Sequence, residues 1–174
     1  MRAAPLTVTA LAAALLLTAC DDGGDKAAGS GGGSGTACKI GTMSVEVGPA
    51  NVAPAAGDSG DVPVTLTNPS APCTLEGFPG IDLYAANMST NLQPTQGAKS
   101  QKLTLAKGAT ATFTITYERG KAGGADVLDA KTLKISLPGA TTQQSYKWSY
   151  GPVQGVDSPG DLKASVSAFT QAGD

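Results

Sequence analysis

Residues 111–117 read Ala-Thr-Phe-Thr-Ile-Thr-Tyr, so apolar side chains alternate with threonine over seven positions. A period of two puts Ala111, Phe113, Ile115 and Tyr117 on one face and three threonines on the other, the pattern of a strand with one dry and one wet side. The alternation recurs in 62–67 (Val-Pro-Val-Thr-Leu-Thr), in 133–137 (Leu-Lys-Ile-Ser-Leu) and, with smaller apolar residues, in 162–168. Shorter candidates lie at 43–47, 81–84, 103–105 and 146–150. No stripe of period 3.6 runs for three turns in this part of the chain, although 125–130 leaves room for one short helix. Turn residues separate the runs, as in Gly57-Asp58-Ser59-Gly60, Asn68-Pro69-Ser70, Lys107-Gly108, Gly123-Gly124, Pro138-Gly139 and Ser158-Pro159-Gly160. The expected fold is all-β, an antiparallel β-sandwich of about 7–9 short strands, with a closed barrel as the main alternative.

The N-terminus follows other rules. Arg2 supplies a positive charge, 6–17 is an apolar stretch, and Leu17-Thr18-Ala19-Cys20 follows. This is the layout of a signal peptide, with an apolar region short for a span of about 20 residues. Its last four residues resemble a lipobox, the processing site of bacterial lipoproteins. The resemblance implies that Cys20 takes a diacylglyceryl group through a thioether and becomes the mature N-terminus. Two acyl chains anchor stably where one binds only marginally. Residues 21–36 hold seven glycines and no large apolar side chain. Such a segment buries too little surface to offset its chain entropy, and as a Gly/Ser coil would span ~20–25 Å r.m.s.. It lacks the Lys-Ser/Thr pair of a phosphate-cradling loop. The expected organisation is a signal peptide at 1–19, a lipidated Cys20 with its tether through 36, and one β-sandwich domain at 37–174. The expected location is the extracytoplasmic face of the cell membrane, where the anchor makes the membrane itself a partner.

The chain contains no histidine. That removes Ser-His-Asp triads, Cys-His pairs and His-based metal sites from within it. Twelve Lys and Arg against 14 Asp and Glu give a net charge of −2, no electrostatic basis for binding nucleic acid. With Cys20 lipidated, Cys38 and Cys73 remain, and in an exported domain they most simply form a disulfide. For a loop of about 36 residues the chain-entropy model assigns it ~3.5–4 kcal/mol.

Carboxylates come in near pairs at Asp58/Asp61, Asp126/Asp129 and Asp157/Asp161, all among turn residues and none in a calcium-loop layout. A secreted hydrolase with an acid pair in a cleft is one alternative function. An interaction module of protease-inhibitor type is another, with 68–72 or 120–126 as its protruding loop. Met43 and Met88 are soft ligands, but two scattered thioethers without histidine make a poor copper site. Asn87-Met88-Ser89 fits a glycosylation acceptor pattern that is incidental in a bacterial lipoprotein. Three of the eight aromatic residues are Tyr146, Trp148 and Tyr150. As one strand they share a face, and they form either the heaviest part of the core or a platform for a ligand.

Around the second cysteine the chain reads Asn68-Pro69-Ser70-Ala71-Pro72-Cys73-Thr74-Leu75-Glu76-Gly77-Phe78-Pro79-Gly80-Ile81. A strand ending in Thr-Asn, a Cys-x-Leu-x-Gly-aromatic-Pro turn and a further strand resemble the actinobacterial secreted-lipoprotein domain family of unknown function numbered 4232. The upstream Cys38, Lys107-Gly108 before the Phe113 strand, and the 133–139 segment add to the likeness, which spans roughly 37–168. It implies an immunoglobulin-like β-sandwich on the cell surface and no particular activity. Members often carry a second cysteine pair in the C-terminal half; this chain has none, and Ser158 stands near where one would fall. In the turn, Gly77 is expected to take a positive φ, with Phe78 and Leu75 capping the core beside the disulfide or with Phe78 exposed as a ligand contact. The overall expectation is a non-catalytic binding module without cofactor or metal, its partner an envelope protein or glycan and its contact residues drawn from Tyr146, Trp148, Tyr150 and Phe78.

Overall fold

A computed structural model describes residues 36–49, 51, 53, 55–86, 88–155 and 161–172. The signal peptide, Cys20, most of the tether, Asn87, Asp157 and Ser158 lie outside the described residues. The strands are β1 Ser44–Val47, β2 Ser59–Thr67, β3 Cys73–Glu76, β4 Gly80–Ala85, β5 Met88–Asn91, β6 Gln93–Pro94 and β7 Lys102–Leu105. They continue as β8 Thr110–Glu118, β9 Val127–Leu128, β10 Thr132–Ser136, β11 Gln143–Lys147, β12 Val153–Gln154, β13 Ala164–Val166 and β14 Thr170–Gln171. One 3-10 turn covers Ile40–Thr42. Among the described residues no helix is long and apolar enough to cross a membrane.

The alternating runs pair with one another. β2 and β8 are antiparallel over nine residues, and their register sets Val62 beside Ile115, Val64 beside Phe113 and Leu66 beside Ala111. Each of these side chains is buried while the intervening threonines and Asp61 face outward. At ~1.5–3 kcal/mol for each large apolar side chain fully removed from water, this ladder is a major part of the folding free energy. Opposite Tyr117 stands Gly60, where a Cβ would sit 2.7 Å from the tyrosine ring. The absent side chain is what admits that ring to the core.

β2 and β8 lie in a sheet of order β1-β2-β8-β13-β6, with β14 also pairing β8. The second sheet runs β11-β10-β4-β5, with Ile81 beside Ile135 and Leu83 beside Leu133. The inward residues of both sheets belong to one buried cluster. With β1, β2 and β8 as strands A, B and E of one sheet and β11, β10, β4 and β5 as G, F, C and C′ of the other, the order is that of an immunoglobulin-like sandwich. β13, from the C-terminal end of the chain, takes the place beside strand E that strand D usually holds. Two ribbons complete the fold, β3 with β7 and β9 with β12.

Cys38 and Cys73 form a disulfide with their Cα atoms 4.9 Å apart. It does not join the two sheets. It ties the start of the described chain to β3, where Ala37 already pairs with Thr74 in parallel and the Cys38 N–H donates to the Thr74 carbonyl at 2.9 Å.

Four local expectations differ from the structure. The helix over 125–130 is absent, because Val127 and Leu128 pair with β12 instead. The segment from Cys73 is a strand as far as Glu76 before it turns, because Leu75 finds Leu103 across β7. The strand expected over 146–150 lies at Gln143–Lys147, drawn into register with β10. The strand expected over 162–168 is only three residues long, ended by a bulge in which residues 167–169 face two residues of β8.

Candidate functional site

Strand pairing in the second sheet brings a mixed set of side chains to its outer face. Tyr84 lies between Thr132 and Ser89, and Asp82 between Lys134 and Asn91. The Asp82 carboxylate accepts from the Asn91 amide at 3.0 Å and from the Gln143 amide at 2.6 Å. The Lys134 ammonium stands 4.0 Å from the centre of the Tyr84 ring, a cation–π contact.

At the end of this sheet marked by Ala85 and Met88 lies an open groove of about 610 Å³. Its walls are Tyr84 and Ala85 at the end of β4, Met88 at the start of β5, Val127 and Leu128 of β9, and Lys131. Met88 is 47 % exposed, the one large apolar side chain so placed among the described residues. Asp129 and Lys131 stand at the rim, paired at 2.7 Å. In the sequence Met88 stands out as a soft ligand and within the Asn87-Met88-Ser89 pattern, and nothing there marks this groove. β5 reads Met-Ser-Thr-Asn and offers no apolar alternation to detect.

The sequence-derived candidates fall elsewhere. Trp148 is 2 % exposed, beyond the end of β11 rather than within it. It packs edge-on between Tyr117 and Tyr150, at 5.3 and 4.9 Å between ring centres, and its indole N–H donates to the Gly151 carbonyl at 2.7 Å. Tyr150 is half-buried, its hydroxyl donating to the Gly48 carbonyl at 2.8 Å. Tyr146, also half-buried, donates to the Gln144 side chain at 2.5 Å. Tyr117, Trp148 and Tyr150 are thus near-perpendicular neighbours with Trp148 in the middle, and the Tyr117 hydroxyl donates to the Tyr150 carbonyl at 3.0 Å. Burial raises the pKa of Tyr117, Tyr146 and Tyr150 above the ordinary phenol value, and the neighbouring Tyr117 adds to the rise at Tyr150. Phe78 is half-buried in the turn between β3 and β4. There Gly77 has a φ of 119° and a Cβ on it would meet Pro138 at 3.2 Å, so the turn demands glycine on two counts.

The acidic pairs are held by their own surroundings. Asp58 accepts from the Ala55 N–H at 2.9 Å, and Asp61 from the Thr116 hydroxyl at 2.7 Å. Asp126 accepts from the Gln154 amide at 2.9 Å, and Asp129 holds Lys131. Met43 is buried in the core, while Met88 stands at the groove. Among the described residues no three His, Cys, Asp or Glu side chains are grouped to hold a metal ion. Of the two loop candidates, 68–72 is tied down by Asn68, and 120–126 is bonded to the 152–155 segment through Gly120, Asp126 and Gln154.

Comparison with curated proteins and with solved structures found no match in either set. The model of one family, described as domain of unknown function (DUF4232), matches residues 38–170, from the first disulfide cysteine to the start of β14. The Cys73–Pro79 pattern, the disulfide and the strand order all fall inside that match, and the chain belongs to this family.

Proposed function

We propose that this protein is a non-catalytic binding module of the cell envelope, anchored by lipid on Cys20 and displayed on the outer side of the membrane. The observation that carries the binding role is the open groove beside Met88. The sandwich presents a concavity walled in part by apolar side chains with the exposed Met88 thioether at its edge, as interaction sites on such scaffolds do. Asp58 bonded within its turn, Asp61 bonded across to Thr116 and Asp126 bonded to Gln154 agree with a surface built for contact. The lipobox-like Leu17-Thr18-Ala19-Cys20 and the glycine-rich segment after it support the anchor and the reach.

Two measurements test this reading. Cells expressing the full chain should incorporate labelled palmitate and retain the protein in the membrane fraction, and Cys20→Ala should abolish both. A Cys20→Ala protein that still takes up label would remove the anchor. The detergent-solubilised full chain should capture an envelope protein or glycan saturably from extract, and persistent failure to capture anything would remove the binding role.

A further inference from the structure

The two main sheets have four ends. β1 carries Glu46, β6 carries Pro94, and β11 carries Lys147 and is packed by the 3-10 turn, whose Ile40 carbonyl accepts from Gln144 at 3.2 Å. Charge, proline and cover are the devices that keep an edge from pairing with another chain. β5 has none of them. It reads Met-Ser-Thr-Asn and, among the described residues, pairs with β4 alone.

Its free side follows from the register. The Leu92 N–H donates to the Ile81 carbonyl at 2.8 Å, so residues 81 and 92 form a hydrogen-bonded pair. Bonded and non-bonded pairs alternate in an antiparallel ladder. Leu83 with Thr90 and Ala85 with Met88 are therefore bonded pairs, while Asp82 with Asn91 and Tyr84 with Ser89 are not. The N–H and C=O groups of Ser89 and Asn91 consequently point away from β4, outward from the sheet.

We infer that β5 is a docking edge for an extended, uncharged peptide segment of a partner protein, which adds a fifth strand to the β11-β10-β4-β5 sheet and sends an apolar side chain into the groove beside Met88. The inference rests on the binding-module reading and names its partner class. Main-chain bonds to Ser89 and Asn91 would supply affinity, and the groove would select the side chain. The groove's walls are apolar at Ala85, Met88, Val127 and Leu128, and its rim charges, Asp129 and Lys131, neutralise each other. An uncharged segment is the electrostatic match.

A second copy of this chain fits less well. Four residues span about 13 Å, a contact too short for the roughly 1,200 Å² of a specific interface. For a sugar ring, one face of Tyr84 is already taken by the Lys134 ammonium.

The test is a titration of the ¹⁵N-labelled full chain in detergent micelles with a short, capped peptide alternating threonine and leucine. The peptide should shift the amide resonances of Ser89 and Asn91 and slow their exchange with solvent. N-methylation of alternate peptide residues should weaken binding by about tenfold or more, the loss of one or two main-chain hydrogen bonds. Ser89→Pro removes an outward N–H, which an edge strand tolerates, and should weaken binding similarly. The methylated peptide tests the same contact on the unaltered protein, and so decides the matter even if that variant misfolds. Strand addition is overturned by shifts confined to 143–147, by binding indifferent to methylation, by self-association that Ser89→Pro abolishes, or by a chitin oligosaccharide shifting Tyr84 where the peptide shifts nothing. Saturable capture from envelope extract surviving any of these would leave the binding-module reading standing without this edge.

Discussion

Asn68 is fully buried, and its side chain is fully used. Its amide donates to the carbonyls of Leu105 at 3.0 Å, Ala71 at 2.9 Å and Ala106 at 3.3 Å, and its carbonyl accepts from the Ser70 N–H at 3.1 Å. One side chain thus clips the turn after β2 to the turn before β8. Asn68→Ala should cost ~1–3 kcal/mol, since it takes the side-chain donor from the buried Leu105 carbonyl and frees the partly buried groups of Ser70, Ala71 and Ala106, and the urea unfolding midpoint reads it. The aromatic cluster carries a different prediction. Burial lifts the pKa of Tyr117 and Tyr150 above 10.0, so the folded chain holds these phenol protons more tightly than the unfolded chain does. Their contribution is complete below pH about 10 and is lost as the pH climbs through that value. Stability measured by urea at successive pH values should therefore fall above pH about 10, and Tyr150→Phe should flatten that fall. An unchanged slope in the variant would place the alkaline loss elsewhere. Trp148 was recognisable in the sequence as a core candidate by size, but its contact with Tyr117 depends on a chain path that no local pattern encodes.

At the scale of elements, legibility follows burial on one face. β2, β4, β7, β8 and β10 each have an inward side lined by large apolar residues, and each lies where the alternation places it. The failures share a cause. β5 has no apolar face, β9 and β12 are two residues long, and β13 ends at a bulge. In that bulge the Ser167 hydroxyl accepts the Thr114 N–H at 2.9 Å, and Phe169 turns inward three residues after Val166 to meet Phe113 edge-on at 5.6 Å. A period of two cannot find Phe169, because the extra residue has changed the phase. The candidate groove was hidden for the same reason, since β5 and β9, the segments without alternation, complete its walls beside the end of β4. The disulfide acts at this scale too, holding 36–38 against β3. Replacing Cys38 and Cys73 by serine should lower stability by ~3.5–4 kcal/mol, measured against the oxidised protein by urea unfolding. Thiol titration of the denatured, unreduced chain should find neither cysteine reactive. Two reactive thiols would refute the bridge.

For the whole molecule, two sheets close over one core, and the ends of those sheets decide what surface remains for others. Among the described residues three ends are guarded and one is open, which is why the expected partner is strand-like. The sequence alone determined that the domain is β, which residues of β2, β8 and β10 share the inward face, that Cys38 and Cys73 are the available bridge, and that no histidine is present. These follow from local facts: the period of the side chains along an extended backbone, and residue type. Only the tertiary structure decided that β13 lies beside β8, that Trp148 stands against Tyr117, and that β4, β5 and β9 meet around a groove. Each of these depends on partners distant along the chain, and pairing between distant segments is selected by the fit of the whole core rather than by the pattern within any one strand.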